Sequence, residues 1–331
     1  CSQLADEMPV YLSLTGGHGS GADASMSAEI FLNCGDTKNA ETAGQTALYL
    51  AGRKNQNSIA FCAWLTLAQA ALLGNNPAGF QEATDAMKQL SLNGDEPRCY
   101  TTYELAMGFL NMVLDRPDQN PSWIRDPHGI ENRLYTYAIP FFHILYGWYL
   151  MKFASEEQFH GIVQSLDNEA EKQHMLLPKL YYLLFSAVKK DRCSRRLEAV
   201  ADLEEALDLT LPDRVYLPFA EHFPGLEPLL ALVRTGSPVR ADEIRIVCTL
   251  GRKLWQNIRR LKSSRPDGEL PLTNREQEIS GLLRQGLTAK QIAVRLDISP
   301  NTVRTIMKSI YQKLGIHSKT ELLMMPPEKI P

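Results

Sequence analysis

Between residues 25 and 210 the chain interrupts its helices at a nearly constant interval. Apolar helical stretches end at small or polar corners at Gly35-Asp36, Gly74-Asn75, Asp115-Arg116, Ala154-Ser155 and Lys190-Asp191, which lie 39, 41, 39 and 36 residues apart. Gly or Asp suits such a corner because the chain leaves a helix through a left-handed residue. Small residues such as Ala28, Ala40, Ala43, Ala47, Ala68 and Ala71 let neighbouring helices approach closely. A single hairpin cannot bury its apolar stripe alone, so successive hairpins must stack. Strand-like alternation bounded by tight turns is almost absent, and the expected fold class is all-α. The third corner is followed by RPDQNPSWIRDPHG rather than a clean second helix. An irregular helical bundle is therefore the alternative architecture.

The interval is slightly longer than the roughly 34-residue tetratricopeptide period. Residues 25–248 accordingly read as a tetratricopeptide-like helical-repeat superhelix serving as a sensor or interaction domain. Residues 1–24 read as an N-terminal segment in which GGHGSG, Gly16 to Gly21, is a flexible linker. Such a superhelix offers a concave surface to a peptide, a protein partner or a small molecule. Downstream, Pro212, Pro218, Pro224 and Pro228 prevent any long helix. From Ala241 to Leu261 a single helix is expected, with Ile244, Val247, Gly251, Leu254, Ile258 and Leu261 in steps of three and four. Fewer than three heptads long, it reads as a cap on the superhelix in preference to a dimer seam. Residues 249–271 are assigned to this connecting helix and its linker, KSSRPDGELP.

Charge divides the chain. Residues 1–250 carry 20 Lys and Arg against 31 Asp and Glu, a net of −11, whereas residues 251–323 carry 14 against 6, a net of +8. A basic C-terminal piece on an acidic body is the asymmetry expected where one domain approaches phosphates. The six cysteines (Cys1, Cys34, Cys62, Cys99, Cys193, Cys248) are scattered without a CxxC pair and read as buried free thiols in a reducing cytoplasm. The most apolar tract, Tyr137 to Phe153, is short for a membrane span and contains Pro140 and His143, so it reads as a core helix and no membrane partner is expected.

Residues 272–323 resolve into four short helices by their caps. Thr273 with Glu276, Thr288 with Gln291 and Ser318 with Glu321 match the capping box, while Ser299 caps a third helix that begins at Pro300. Gly286 and Gly315 end the first and third helices. The second and third are joined by Leu296-Asp297-Ile298, tight enough for a helix-turn-helix. On the third helix Val303, Ile306, Ile310 and Leu314 form an apolar stripe facing Ile292 and Leu296. Asn301, Arg304, Thr305, Lys308 and Gln312 form the opposite, polar stripe. Arg304 and Lys308 can reach guanine edges or phosphates, and Thr305 a thymine methyl. Ser299, Asn301, Thr302 and Lys290 stand near helix N-termini, where backbone phosphates are held. The expected partner is double-stranded DNA.

The segments LTNREQEI, QGLTAKQIAVRLDIS, NTVR and IYQKLGI resemble the C-terminal DNA-binding domain of the LuxR family of bacterial regulators. The resemblance implies a four-helix domain over 272–324 in which Arg304, Thr305 and Lys308 read bases. It also implies that the helix from Ser318 to Leu323 can pair two copies on DNA. Asp297 stands where the family usually has Gly, and Ile306 where it usually has His. The stretch from AEIFLNCGDTKNAE to LLGNNPAGFQEA, and later LPFAEHFPGLEPLL, resembles the helical-repeat sensor region of the large ATP-binding LuxR-type regulators. There the repeats bind an inducer or a regulatory partner, and an ATPase module precedes them. This sequence carries no GxxxxGK[ST], and a chain beginning at Cys1 reads as the C-terminal part of a longer regulator.

No catalytic motif competes. The seven histidines are isolated, no HExxH, HxH or GxSxG occurs, and the carboxylate pairs lie on polar helix faces. No cofactor, metal or enzymatic activity is expected. The reading is a cytoplasmic DNA-binding transcriptional regulator whose repeat domain binds an unknown small-molecule effector or protein partner. The alternatives are a repeat scaffold for protein interaction, or the regulatory half of a larger signal-transduction ATPase.

Overall fold

The computed structural model describes residues 13, 19–92, 97–172, 175–234, 236–263, 274–296, 299–313 and 318–324. The described residues are helical, with no strand among them, and the chain divides into two compact units after Ile258.

The first unit is a stack of helical hairpins: α1 (Ala22–Asn33) with α2 (Thr37–Arg53), and α3 (Asn57–Gly74) with α4 (Pro77–Leu92). α5 (Pro97–Val113) follows, then the short α6 (Ile130–Arg133). α7 (Ile139–Phe153) pairs with α8 (Glu156–Lys172), and α9 (Leu176–Arg192) with α10 (Arg196–Thr210). The corners recur about every 40 residues for a backbone reason. Gly35, Asn75, Asp115 and Ser194 all have positive φ, between 55° and 79°. At each, the amide after the left-handed residue reaches back to the last helical turn: Asp36 to Phe31, Asn76 to Ala71, Arg116 to Asn111, Arg195 to Lys190, at 2.7–2.9 Å. This is the Schellman closure, which satisfies carbonyls that the helix end leaves open. The fourth corner, at Ala154, is instead extended. Lys190-Asp191, expected as a corner, belongs to the last turn of α9, and the chain turns at Ser194.

The stretch after α5 replaces an outer helix with two 3-10 turns, Pro117–Gln119 and Ser122–Arg125. They are held to α5 by Asn120 Nδ2 donating to Gly108 O (3.2 Å) and Trp123 Nε1 donating to Glu104 Oε2 (2.8 Å). Ile124 is fully buried and lies where a side chain at Gly108 would project. Gly19 to Gly21 form an ordered turn rather than a linker. Gly19 N–H donates to Gln56 Oε1, and Gly21, at φ 89°, is buried against Ala47 and Ala51. Gly16 to His18 lie outside the described residues.

Two short helices, α11 (Leu217–Glu221) and α12 (Phe223–Leu230), follow the last hairpin. They return the chain to its beginning, with Tyr216 N–H donating to Asn33 O (2.8 Å) and Gln69 Nε2 to Glu221 Oε1 (3.2 Å). α13 (Pro238–Ser263) then crosses both ends of the stack. Ile244, Val247, Gly251, Leu254 and Ile258 of its seam are buried, and a Cβ at Gly251 would lie 2.3 Å from Phe223 Cγ. Asn257 Nδ2 donates to Leu72 O and Leu73 O (3.1 and 3.0 Å), at the C-terminal end of α3. Trp255 Nε1 donates to Ala220 O (3.0 Å). The seam is thus used within the body. The expected linker, Lys262 to Pro271, is helical at its first two residues and lies outside the described residues from 264 onward.

α3 is long and apolar enough, by length and composition, to cross a membrane; here it packs between α1, α2 and α4. The apolar tract Tyr137 to Phe153 forms a 3-10 turn and α7, whose Phe142, Leu145, Trp148 and Met151 are core residues.

Candidate nucleic-acid interface and the cavity of the helical body

The second unit contains α14 (Asn274–Arg284), α15 (Ala289–Leu296), α16 (Pro300–Lys313) and α17 (Lys319–Met324). Ile279, Leu283, Ile292, Val303, Ile310 and Leu322 have no exposed surface and form one core, with Leu296 and Ile306 packed at its edge. Val303, Ile306 and Ile310 recur at three and four residues, so one face of α16 is buried on α14 and α15. The same period turns Thr302, Arg304, Thr305 and Lys308 outward, and all four are exposed. Asn301 falls in the first turn of α16; its side chain and that of Gln312 lie outside the described residues. Lys290, at the second position of α15, is exposed.

The caps hold α15 and α16 at defined starts. Thr288 N–H donates to Gln291 Oε1 (2.8 Å), and Gln291 N–H returns to Thr288 Oγ1 (3.4 Å). Ser299 Oγ accepts from Thr302 N–H (3.0 Å) and lies 2.8 Å from Thr302 Oγ1, so both hydroxyls stand at the N-terminus of α16. Ser318 Oγ accepts from Glu321 N–H and donates to Glu321 Oε1. Gly286, at φ 91°, ends α14, with Leu287 N–H reaching Leu282 O (3.2 Å). Thr273, Asp297, Ile298, Leu314 and Gly315 lie outside the described residues.

Two contacts in this unit were not foreseen. Glu276 is buried and accepts from Ser309 Oγ on α16 (2.7 Å), tying the exposed helix to α14. Lys319 Nζ donates to Gly286 O and Leu287 O, both at 2.9 Å, so this cation fastens α17 to the turn between α14 and α15.

In the first unit the odd-numbered helices α1, α3, α5, α7, α9 and α11 face inward around a cavity of about 290 Å³. Its wall is mainly apolar, from Leu32, Leu65, Leu105, Phe61, Phe109 and Phe141, with Glu29, Gln69 and Tyr181 among its polar members. Behind that wall Tyr181 O–H donates to Glu221 Oε2 (2.6 Å). Burial pushes the Glu221 carboxyl up to about 7, against the lowering effect of its bonds from Tyr181 and Gln69. The adjacent His222 is also buried, which pushes it down to about 4 although Nδ1 is 2.9 Å from Pro218 O; its ring lies 4.2 Å from that of Trp148.

Cys62 lies on the cavity side of α3 and is exposed, while Cys34, Cys99, Cys193 and Cys248 are half-buried. The expectation of buried thiols is corrected for these five; for Cys62 the reason is that the inward face of α3 meets a cavity instead of packed side chains. Tyr137 and Phe141 likewise line the cavity, whereas Phe142, Tyr146 and Trp148 belong to the core. Among the described residues no three His, Cys, Asp or Glu side chains converge as a metal site.

Residues 270–326 match the family described as bacterial regulatory proteins, luxR family. The HTH-type transcriptional regulator MalT of Vibrio campbellii is 39% identical over 54 residues, 16% of this chain and 6% of that protein. The MalT of Yersinia pestis (strain Pestoides F) is 41% identical over 51 residues, 15% of this chain and 6% of that protein. The transcriptional regulatory protein UhpA of Escherichia coli is 38% identical over 80 residues, 24% of this chain and 39% of that protein. The chain therefore spans well under two thirds of the length of these relatives. No solved structure matches it.

Proposed function

Because residues 270–326 are a LuxR-family helix-turn-helix domain, we propose that the chain is a DNA-binding transcriptional regulator in which α16 enters the major groove. Arg304, Thr305 and Lys308 read base edges; Ser299, Asn301, Thr302 and Lys290 hold the flanking phosphates. The helical-repeat body binds the effector or partner that controls this activity, and two copies pair on a two-part DNA site. The carrying observation is the polar face of α16, exposed over two turns and backed by a complete apolar core. Regulation by binding asks for no enzymatic step.

The test is selection from a random-duplex pool by the purified chain, followed by fluorescence anisotropy on the enriched and a scrambled duplex. Enrichment of one short motif, bound tighter than the scramble and weakened steeply by salt, supports the reading. Equal binding of both duplexes contradicts it.

A further inference from the structure

The cavity of the helical body is chemically one-sided. None of its lining residues is Lys, Arg or His, and Glu29 brings a carboxylate with no hydrogen bond or ion pair among the described residues. Burial raises that carboxyl, and its charge acts on Cys62 and Tyr181 across the same wall. Glu29 is open to solvent along its side chain yet surrounded by the concave face, so a charge there lacks much of its hydration.

Several polar groups of the wall bond within the protein itself. Tyr181 O–H and Gln69 Nε2 donate to Glu221, Thr66 Oγ1 to Cys62 O, Thr102 Oγ1 to Arg98 O, and Asn33 Nδ2 to Glu29 O. Among the described residues, the one charged side chain left toward the cavity is the Glu29 carboxylate, on a body whose residues 1–250 carry a net charge of −11. Leu32, Leu65, Leu105, Phe61, Phe109 and Phe141 supply the apolar remainder. At about 290 Å³ the volume sits at the small end of ligand pockets, which run from about 300 to 1,000 Å³.

We propose that this cavity binds a small organic ammonium ion, a primary amine carried on an aromatic or aliphatic body, with its N–H donors on Glu29 and the neighbouring acceptors. The body of the amine lies against the leucine and phenylalanine wall, where the ring faces also favour a cation. An anion is repelled by the Glu29 carboxylate with no cation in the wall to offset it, and a neutral isostere lacks the charge that Glu29 needs. This deepens the effector-binding reading of the repeats and rests on it.

The experiment is calorimetric titration of the whole chain with 2-phenylethylamine and hexylamine, their alcohols 2-phenylethanol and hexan-1-ol, and their carboxylates 3-phenylpropionate and hexanoate. The amines should bind about tenfold tighter than the alcohols, and the carboxylates weakest. Glu29→Gln, at a solvent-accessible site without partners, should keep the melting temperature and the alcohol affinity while lowering amine affinity to the alcohol level. Carboxylates binding as well as amines, no amine binding at millimolar concentration, or an unchanged amine-to-alcohol ratio in Glu29→Gln would each overturn the proposal. Anisotropy on the same preparation separates the two readings. DNA binding without amine binding removes only the cavity proposal, and amine binding without DNA binding removes only the DNA-reading role.

Discussion

The Tyr181 hydroxyl donates to a carboxylate, Glu221, that is itself 2% exposed and has no cationic partner among the described residues. Glu221 holds its proton to about pH 7 in the folded chain but releases it near 4.5 when unfolded. In that window the native state binds more protons, so this group makes stability fall as pH rises. His222 does the reverse, because it is neutral in the fold down to about pH 4 and protonates near 6.5 when unfolded, so its effect is that stability rises with pH. The two slopes oppose each other between about pH 4.5 and 6.5. Glu221→Gln should therefore steepen the rise of stability with pH across that range, by at most about 1.4 kcal/mol per pH unit. All four tryptophans lie before residue 259, so urea unfolding followed by tryptophan fluorescence reports on this unit. Parallel pH curves for the two proteins would contradict the account.

Asn257 closes the C-terminal end of α3 from a position far along the chain. Asn257→Leu leaves the Leu72 and Leu73 carbonyls without that donor in a buried setting. The cost should be about 1–3 kcal/mol, seen as a lower urea midpoint in the same assay. An unchanged midpoint would show that the contact does not hold the ends of the stack together.

Cys62 combines exposure with a suppressed thiolate. Loss of hydration within the concavity, and to a lesser degree Glu29, pushes it up to about 11. At pH 8 its alkylation by iodoacetamide, followed by peptide mass spectrometry, should be slower than that of an unstructured peptide thiol, and should accelerate as pH rises toward 11. Alkylation at the rate of the free peptide would contradict its placement within the concavity.

Gly286 has a φ of 91°, a conformation in which a side chain is strained. No heavy atom lies within 4 Å of a Cβ built there, so Gly286→Ala isolates the backbone effect. It should destabilise the second unit by about 1 kcal/mol. Hydrogen–deuterium exchange of peptides from 274–324 should accelerate while peptides from the body stay unchanged. Equal protection in both proteins would contradict this.

The features that the sequence displays most clearly are those fixed by local periodicity and by single-residue backbone demands. The two faces of α16 follow from the spacing of Val303, Ile306 and Ile310, and the corners at Gly35 and Asp115 from residues that tolerate positive φ. Ser194 adopts the same left-handed turn without being a residue type that announces it, so the sequence points to Lys190-Asp191, a few residues before the true corner. The cavity has no local signature. Gln69 and Glu221 are 152 residues apart, and only the return of α11 to α1 and α3 brings them together. Glu29 looks like any polar helix position until five other helices enclose it. Lys319 reads as one more cation of a basic domain, yet it is bound to the carbonyls of Gly286 and Leu287.

The central claim is that the outer face of α16 reads DNA, and the double variant Arg304→Ala/Lys308→Ala tests it most directly. Both side chains are exposed, so the variant should keep the wild-type circular dichroism and melting temperature. Anisotropy over a salt series on the selected duplex should show a loss of about 2–6 kcal/mol in binding, a shallower salt slope, and near-equal affinity for the scrambled duplex. Wild-type affinity and specificity in a folded double variant would contradict the claim and move the DNA-reading surface away from α16.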